Sequence, residues 1–223
     1  MMKLTNKQKI NTYGEHLKVF KIPVIQKIVK EIIENTPTIY FGSSTSSTGK
    51  YHPLATNGLS GLVKHSTAVM LIAKDMLENE TIATVFNMNN LSDLDKETVL
   101  AAALLHDNAK YGAEEKDGDE KYYTLGDHPR LVKDIAIKAK LHETLDEEGL
   151  KVLNKMLKMI ETHMGQWTNV RGGAPLDKPS THAQAFIHMC DYIVSRKTFD
   201  NVQDIKLPDD TNPDLIKWFE TQL

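Results

Sequence analysis

The run Val99-Leu100-Ala101-Ala102-Ala103-Leu104-Leu105 is apolar on nearly every side and leads straight into His106-Asp107. A helix of that kind has no face to offer water, so it belongs at the centre of a helical body. A carboxylate beside an imidazole at the end of such a helix is costly to desolvate unless a cation or another partner compensates it. Ser92 followed by Asp95 resembles the helix start. Adjacent helix residues diverge by about 100°, yet at a helix end both side chains can turn onto one ion. A His-Asp pair alone is a weak signal; its setting after a buried helix gives it weight.

The rest of the chain supplies partners for that helix. Pro23 to Asn35 carries Val24, Ile25, Ile28, Val29, Ile32 and Ile33 at helical spacing, with Pro23 as a first-turn residue. Residues 36–57 read as a long loop, Ser/Thr/Gly-rich from Gly42 to Gly49. Gly58 to about Asn79 forms a long core helix bearing His65. Residues 111–127 read as an acidic surface loop, with a new helix starting around His128 after Asp127. Asp146 caps a helix whose apolar face holds Leu150, Leu153, Met156, Leu157 and Ile160 and which delivers His163 at its end. Gly165 to Pro179 is a loop; Ser180 or Thr181 opens a helix containing Asp191, and Asn212-Pro213 starts a short final one. No strand pattern and no repeat is visible, so the expected fold is all-α, a single helical bundle. The expected organisation is 1–57, N-terminal helices and loop packed on the core; 58–200, the catalytic domain; and 201–223, a tail with a short helix.

Composition excludes several classes. With 223 residues, 40% hydrophobic and 26% charged, the chain can bury one sizeable core. A net charge of −3 argues against affinity for nucleic acid through a broad basic surface. Cys190 is the single cysteine, which excludes an intramolecular disulfide and a Cys-rich zinc site. Neither a signal-peptide pattern nor an apolar run of roughly 20 residues is present, so a cytoplasmic protein without a membrane partner is expected, with a homo-oligomer left open.

His65 and Asp191 complete a mixed nitrogen and oxygen donor set with His106 and Asp107 if their helices pack together. Such a set with open positions suits a catalytic first-row metal, where a water binds and loses a proton near neutral pH. His128 and His163 can hold a second ion about 3.5–4 Å away with Asp107 bridging, as two-metal hydrolytic sites require. Lys110 shares a face with His106 and Asp107 if the helix persists another turn, which aims its ammonium at a bound phosphate. Asp107 and Lys110 are therefore the candidate catalytic residues. Arg196 and Lys197 offer further positive charge, Gln166 and Trp167 offer pocket walls with an indole able to stack on a base, and His52 can approach from its loop.

Five stretches carry a family resemblance. Lys50-Tyr51-His52-Pro53 with Gly58-Leu59-Ser60-Gly61-Leu62-Val63-Lys64-His65, Leu104-Leu105-His106-Asp107-Asn108-Ala109-Lys110, Asp127-His128-Pro129, Thr162-His163-Met164-Gly165-Gln166-Trp167 and His188-Met189-Cys190-Asp191-Tyr192 resemble the HD-domain phosphohydrolase superfamily. The likeness spans about residues 50–197 and is nearest to small stand-alone HD hydrolases of bacteria and phages; HD-type 3′-5′ exonucleases and HD-GYP cyclic-dinucleotide phosphodiesterases are more distant. It implies an all-α HD-domain bundle and divalent metal: one or two ions of manganese, iron, nickel, cobalt or zinc, with magnesium as a further option. His65, His106, Asp107 and Asp191 match the primary ligand positions, His128 and His163 the secondary ones. Some relatives carry a second histidine directly after the position of His163; here Met164 stands there.

The expected function is metal-dependent hydrolysis of a phosphate mono- or diester in a nucleotide or short oligonucleotide, through a metal-activated hydroxide. Lys110, Gln166, Trp167, Arg196 and His52 are the expected substrate contacts. Two alternatives stand beside it: an HD-fold di-iron oxygenase, and a non-catalytic metal- or nucleotide-binding protein.

Overall fold

The computed structural model describes residues 3–45, 52–116, 122–201 and 205–208; among them helix is the only regular structure. Thr5 opens α1 (Asn6–Asn11) through a reciprocal capping pair with Gln8. The aliphatic stripe read from Pro23 onward forms α2 (Pro23–Asn35), with Ile25, Ile28, Val29, Ile32 and Ile33 buried. Residues 36–57 are more ordered than their composition suggests. They contain α3 (Thr38–Gly42) and a short 3-10 turn at Leu54–Thr56, because Tyr40 and Phe41 bring enough apolar surface to anchor the segment in the core. Residues 46–51, which include most of the polar stretch and Lys50-Tyr51, lie outside the described residues.

The long helix α4 (Gly61–Glu78) bears His65, and α5 (Glu80–Val85), capped by Asn79, follows it without a signal in the apolar pattern. Ser92 caps α6 (Asp93–Leu105), whose last nine residues are all buried. The remaining helices are α7 (His128–Lys138), α8 (Leu141–Thr144), α9 (Glu147–Glu161), capped by Asp146, and α10 (His182–Val194), opened by Thr181 and Gln184 as a capping box. The segments at 117–121 and 209–223, the latter with the expected helix start at Asn212-Pro213, lie outside the described residues.

Helix α6 packs against α2, α4, α9 and α10, so the apolar run at 99–105 is the axis of the bundle. No helix of the described residues is long and apolar enough to cross a membrane. Two charged side chains fix the ends of α2. Lys9, buried, donates to the Glu34 and Thr36 carbonyls at 3.0 and 2.6 Å, satisfying acceptors that a helix C-terminus leaves open. At the other end the Glu97 carboxylate accepts from the Lys21 and Ile22 backbone N–H groups at 3.0 Å, a cap supplied from α6 where Ile22 has none of its own. Glu97→Ala leaves both amides without that partner and is expected to cost about 1–3 kcal/mol. Thermal unfolding checks it: a Tm within about one degree of wild type would mean that the cap contributes nothing.

Candidate metal centre

Three helix ends and the interiors of two further helices converge on one point. His106 is the C-cap residue of α6, Asp107 lies in the turn after it, and His128, the first residue of α7, and His163, just past α9, face them. His65 comes from the second turn of α4, and Asp191 from α10. The approach of α4 depends on Gly61: a Cβ there would lie 2.1 Å from the Thr56 carbonyl oxygen and 2.9 Å from the Ser44 Cα, so the preceding loop crosses the helix where only glycine fits.

Two donor groups result. His65 Nε2 lies 3.0 Å from Asp191 Oδ1 and 4.0 Å from Asp107 Oδ2, and His106 Nε2 lies 3.7 Å from Asp107 Oδ2 and 3.8 Å from Asp191 Oδ1. On the other side of the same carboxylate, Asp107 Oδ1 is 2.9 Å from His128 Nε2 and 3.7 Å from His163 Nε2, which are 3.3 Å from each other. An ion bound at about 2.0–2.2 Å holds its donors roughly 3–3.5 Å apart, so both groups are near the spacing that an ion imposes.

Proton placement strengthens the fit. The Nδ1 atoms of His106, His128 and His163 lie 2.7, 2.7 and 2.8 Å from the carbonyls of Ala103, Leu125 and Ile160. A carbonyl has no proton to give, so each Nδ1 is the donor, and in the neutral ring Nε2 is a bare lone pair aimed inward. Burial holds His106 below the ordinary imidazole value and pushes His163 down to about 3, so both are neutral. Lone pairs therefore face a carboxylate, and His106 Nε2 and Asp107 Oδ1 are buried with no hydrogen-bond partner. Acceptors crowded together without donors need a cation between them.

Burial alone would raise the carboxylates, but Asp107 is held well below the usual carboxylate range with the Lys110 ammonium as the largest opposing influence, and Asp191 is held below it with a hydrogen bond from His65 as the largest. Both stay ionised. Lys110 Nζ donates to Asp107 Oδ2 at 2.7 Å, and that carboxylate keeps the ammonium charged against the pull of burial. The helix does not continue to Lys110: residues 106–111 form turns, and the side chain reaches Asp107 across the turn closed by the Lys110 N–H on the Asp107 carbonyl. Leu125 links both sides of the site, its N–H on the Lys110 carbonyl and its own carbonyl on His128 Nδ1.

The centre opens into a cavity of about 450 Å³ whose walls include His52, Lys110, Met164, Trp167, Tyr192, Ser195 and Arg196. A family model described as HD domain matches residues 62–195, more than half of the chain. The chain belongs to the HD-domain family. No curated protein and no solved structure matches it. Metal-dependent hydrolases make up most of the HD-domain family, and the convergence of His65, His106, Asp107 and Asp191, with His128 and His163 beside them, is compatible with metal binding.

Not every expected substrate contact of this HD domain reaches the cavity. His52, Trp167 and Arg196 line it, but Gln166 is exposed and does not. The Trp167 N–H bonds the Met164 carbonyl, and in such a turn residues three apart share a side, which sends Gln166 outward. Lys197 is exposed too. Sequence reading missed Tyr192 and Ser195; the latter lies one helical turn past Asp191 and donates to its Oδ1 at 3.1 Å. His188, one turn before Asp191, supports the site from behind: its Nδ1 donates to the His163 carbonyl at 2.8 Å, while Trp167 and Tyr192 pack around the ring.

Gly165 makes that support possible. Its φ is +62°, and a Cβ would lie 2.2–2.3 Å from the His188 ring. Gly165→Ala is expected to lower Tm by several degrees and to weaken metal retention, because the His163 turn must move. Adding His188→Ala should recover part of the stability by removing the clash; a single variant that keeps wild-type Tm and metal content would refute this account.

Acid should release metal and loosen the fold. His163 near 3 and His52 near 4 sit below the 6.5 expected of the unfolded chain, both mainly through burial. The unfolded state therefore takes up protons first, and the contribution of these rings to stability, complete above about pH 6.5, declines as the pH falls toward 4. The Tm of the metal-free protein should drop across that window, and chelator-dye assays should show metal loss over the same range; a flat Tm profile would contradict neutral buried imidazoles.

Proposed function

We propose that this HD domain hydrolyses a phosphate ester of a nucleotide or short oligonucleotide, using one or two divalent ions held by His65, His106, Asp107 and Asp191, with His128 and His163 as second-ion donors. The observation that carries this reading is the set of inward Nε2 lone pairs around one ionised carboxylate, with Lys110 beside it, at the floor of an accessible cavity. Bound ions would supply Lewis acidity, lowering the pKa of a water and neutralising phosphate charge.

The chain's own groups supply the rest. The carbonyl-tethered imidazoles hold their lone pairs in place, so little reorganisation accompanies binding. Asp107 presents one oxygen to each histidine group. Lys110 places a fixed positive charge at the cavity floor, where a phosphoryl oxygen gains negative charge in the transition state. Trp167 and Tyr192 give the upper wall aromatic surface suited to a nucleobase.

The test is a screen of protein loaded with manganese, cobalt, nickel, iron or zinc against nucleotides, cyclic dinucleotides and short single strands, with and without oxygen. Phosphate release that is independent of oxygen supports the proposal. Turnover that requires oxygen, or ligand binding without turnover under any metal, would overturn it.

A further inference from the structure

Among the described residues Arg196 is the one charged side chain of the upper wall, and no carboxylate pairs with it. Its guanidinium carbon lies 4.0 Å from the Tyr192 ring centre and 5.7 Å from that of Trp167, and these two rings are parallel to within 9° with centres 5.6 Å apart. Arg196 forms no ion pair among the described residues, and its Nε is buried without a hydrogen-bond partner. An arginine that stacks on an aromatic plate keeps its planar fork of donors free and correctly oriented. A buried donor left unpaired costs free energy that an incoming acceptor recovers.

We infer that Arg196, fixed by Tyr192 and Trp167, is an anion subsite that recognises a second phosphoryl group of the substrate, distinct from the one at the metal centre and Lys110. The inference rests on the proposed phosphohydrolase reading and narrows it: the favoured substrate carries two linked phosphoryl groups, as in a nucleoside diphosphate or a 5′-phosphorylated dinucleotide. Lys110 already serves the cavity floor through Asp107, whereas the donors of Arg196 have no anion of the protein to serve. A guanidinium beside two parallel rings also suits a phosphate that lies next to a stacked base.

The test is calorimetric and needs no turnover. Metal-loaded wild type, Arg196→Met and Arg196→Lys are titrated with three non-hydrolysable ligands: adenosine bearing one phosphonate, adenosine bearing a methylene-bridged bisphosphonate, and a dinucleotide with methylene linkages and a terminal phosphonate. Wild type should bind at least one doubly charged ligand about tenfold or more tighter than the single phosphonate, and the stronger of the two identifies the source of the second group. Arg196→Met should abolish that preference while leaving affinity for the single phosphonate nearly unchanged, and Arg196→Lys should restore part of it. Equal affinity of wild type for all three, or an equal loss for all three in Arg196→Met, overturns the subsite. Failure of wild type to hydrolyse any phosphate ester would instead sink the phosphohydrolase reading, and the binding preference would still judge Arg196.

Discussion

Asp107→Ala is expected to strip the protein of bound metal and to lower phosphoester hydrolysis at least about a thousandfold, or about 4 kcal/mol, while its helical circular dichroism persists. The expectation follows from position. Asp107 is the carboxylate that reaches both histidine groups, with Oδ1 toward His128 and His163 and Oδ2 toward His106 and His65. Without it Asp191 is the sole anion against four imidazoles, too little to hold two cations or to fix one firmly. Lys110 loses its counter-charge, but its end is partly exposed toward the cavity and can be hydrated, so the penalty falls short of that for a sealed charge. A drop in Tm with secondary structure retained is therefore the expected stability result. Metal analysis alongside initial rates decides the matter: activity that survives would remove the metal centre from the mechanism.

The bundle was legible because its central helices are amphipathic or wholly apolar in simple patterns. α2 begins and ends where its stripe does, and Ser92 and Asp146 mark starts that their side chains indeed cap. What escaped was structure held by tertiary contact. α3 exists because Tyr40 and Phe41 find the core, a long-range fact that a five-residue helix cannot announce. α5 carries a single buried residue, Ala83, and thus hardly any periodic signal. At the site, the inward set of histidines and aspartates stood out because the ordered motifs name it. Their tethers did not: each Nδ1 bond of His106, His128 and His163 runs to a backbone carbonyl three residues earlier, and backbone acceptors leave no trace in residue identity. Gln166 misled for a related reason, since its direction depends on turn geometry and not on being near His163.

Lys110→Met is expected to separate metal binding from chemistry. The ammonium sits 2.7 Å from Asp107 Oδ2, the oxygen that also faces His65 and His106. An ion held by those donors and the lysine would share one oxygen, and two cations on one carboxylate oxygen repel each other. Removing the charge should thus leave metal affinity unchanged or increase it. Hydrolysis should still fall by about a hundredfold, or about 2.7 kcal/mol, because the positive charge nearest the reacting phosphate is gone. Methionine keeps the length and the apolar stem, so packing of the partly buried chain is largely preserved. Lys110→Arg offers a check on charge against shape: it retains the cation but replaces a compact ammonium by a wider planar fork, and an intermediate rate is expected. The paired measurement is metal content against kcat for each variant. Loss of metal in step with activity in Lys110→Met would mean that the lysine holds Asp107 in place, and its role at the phosphate would have to be abandoned.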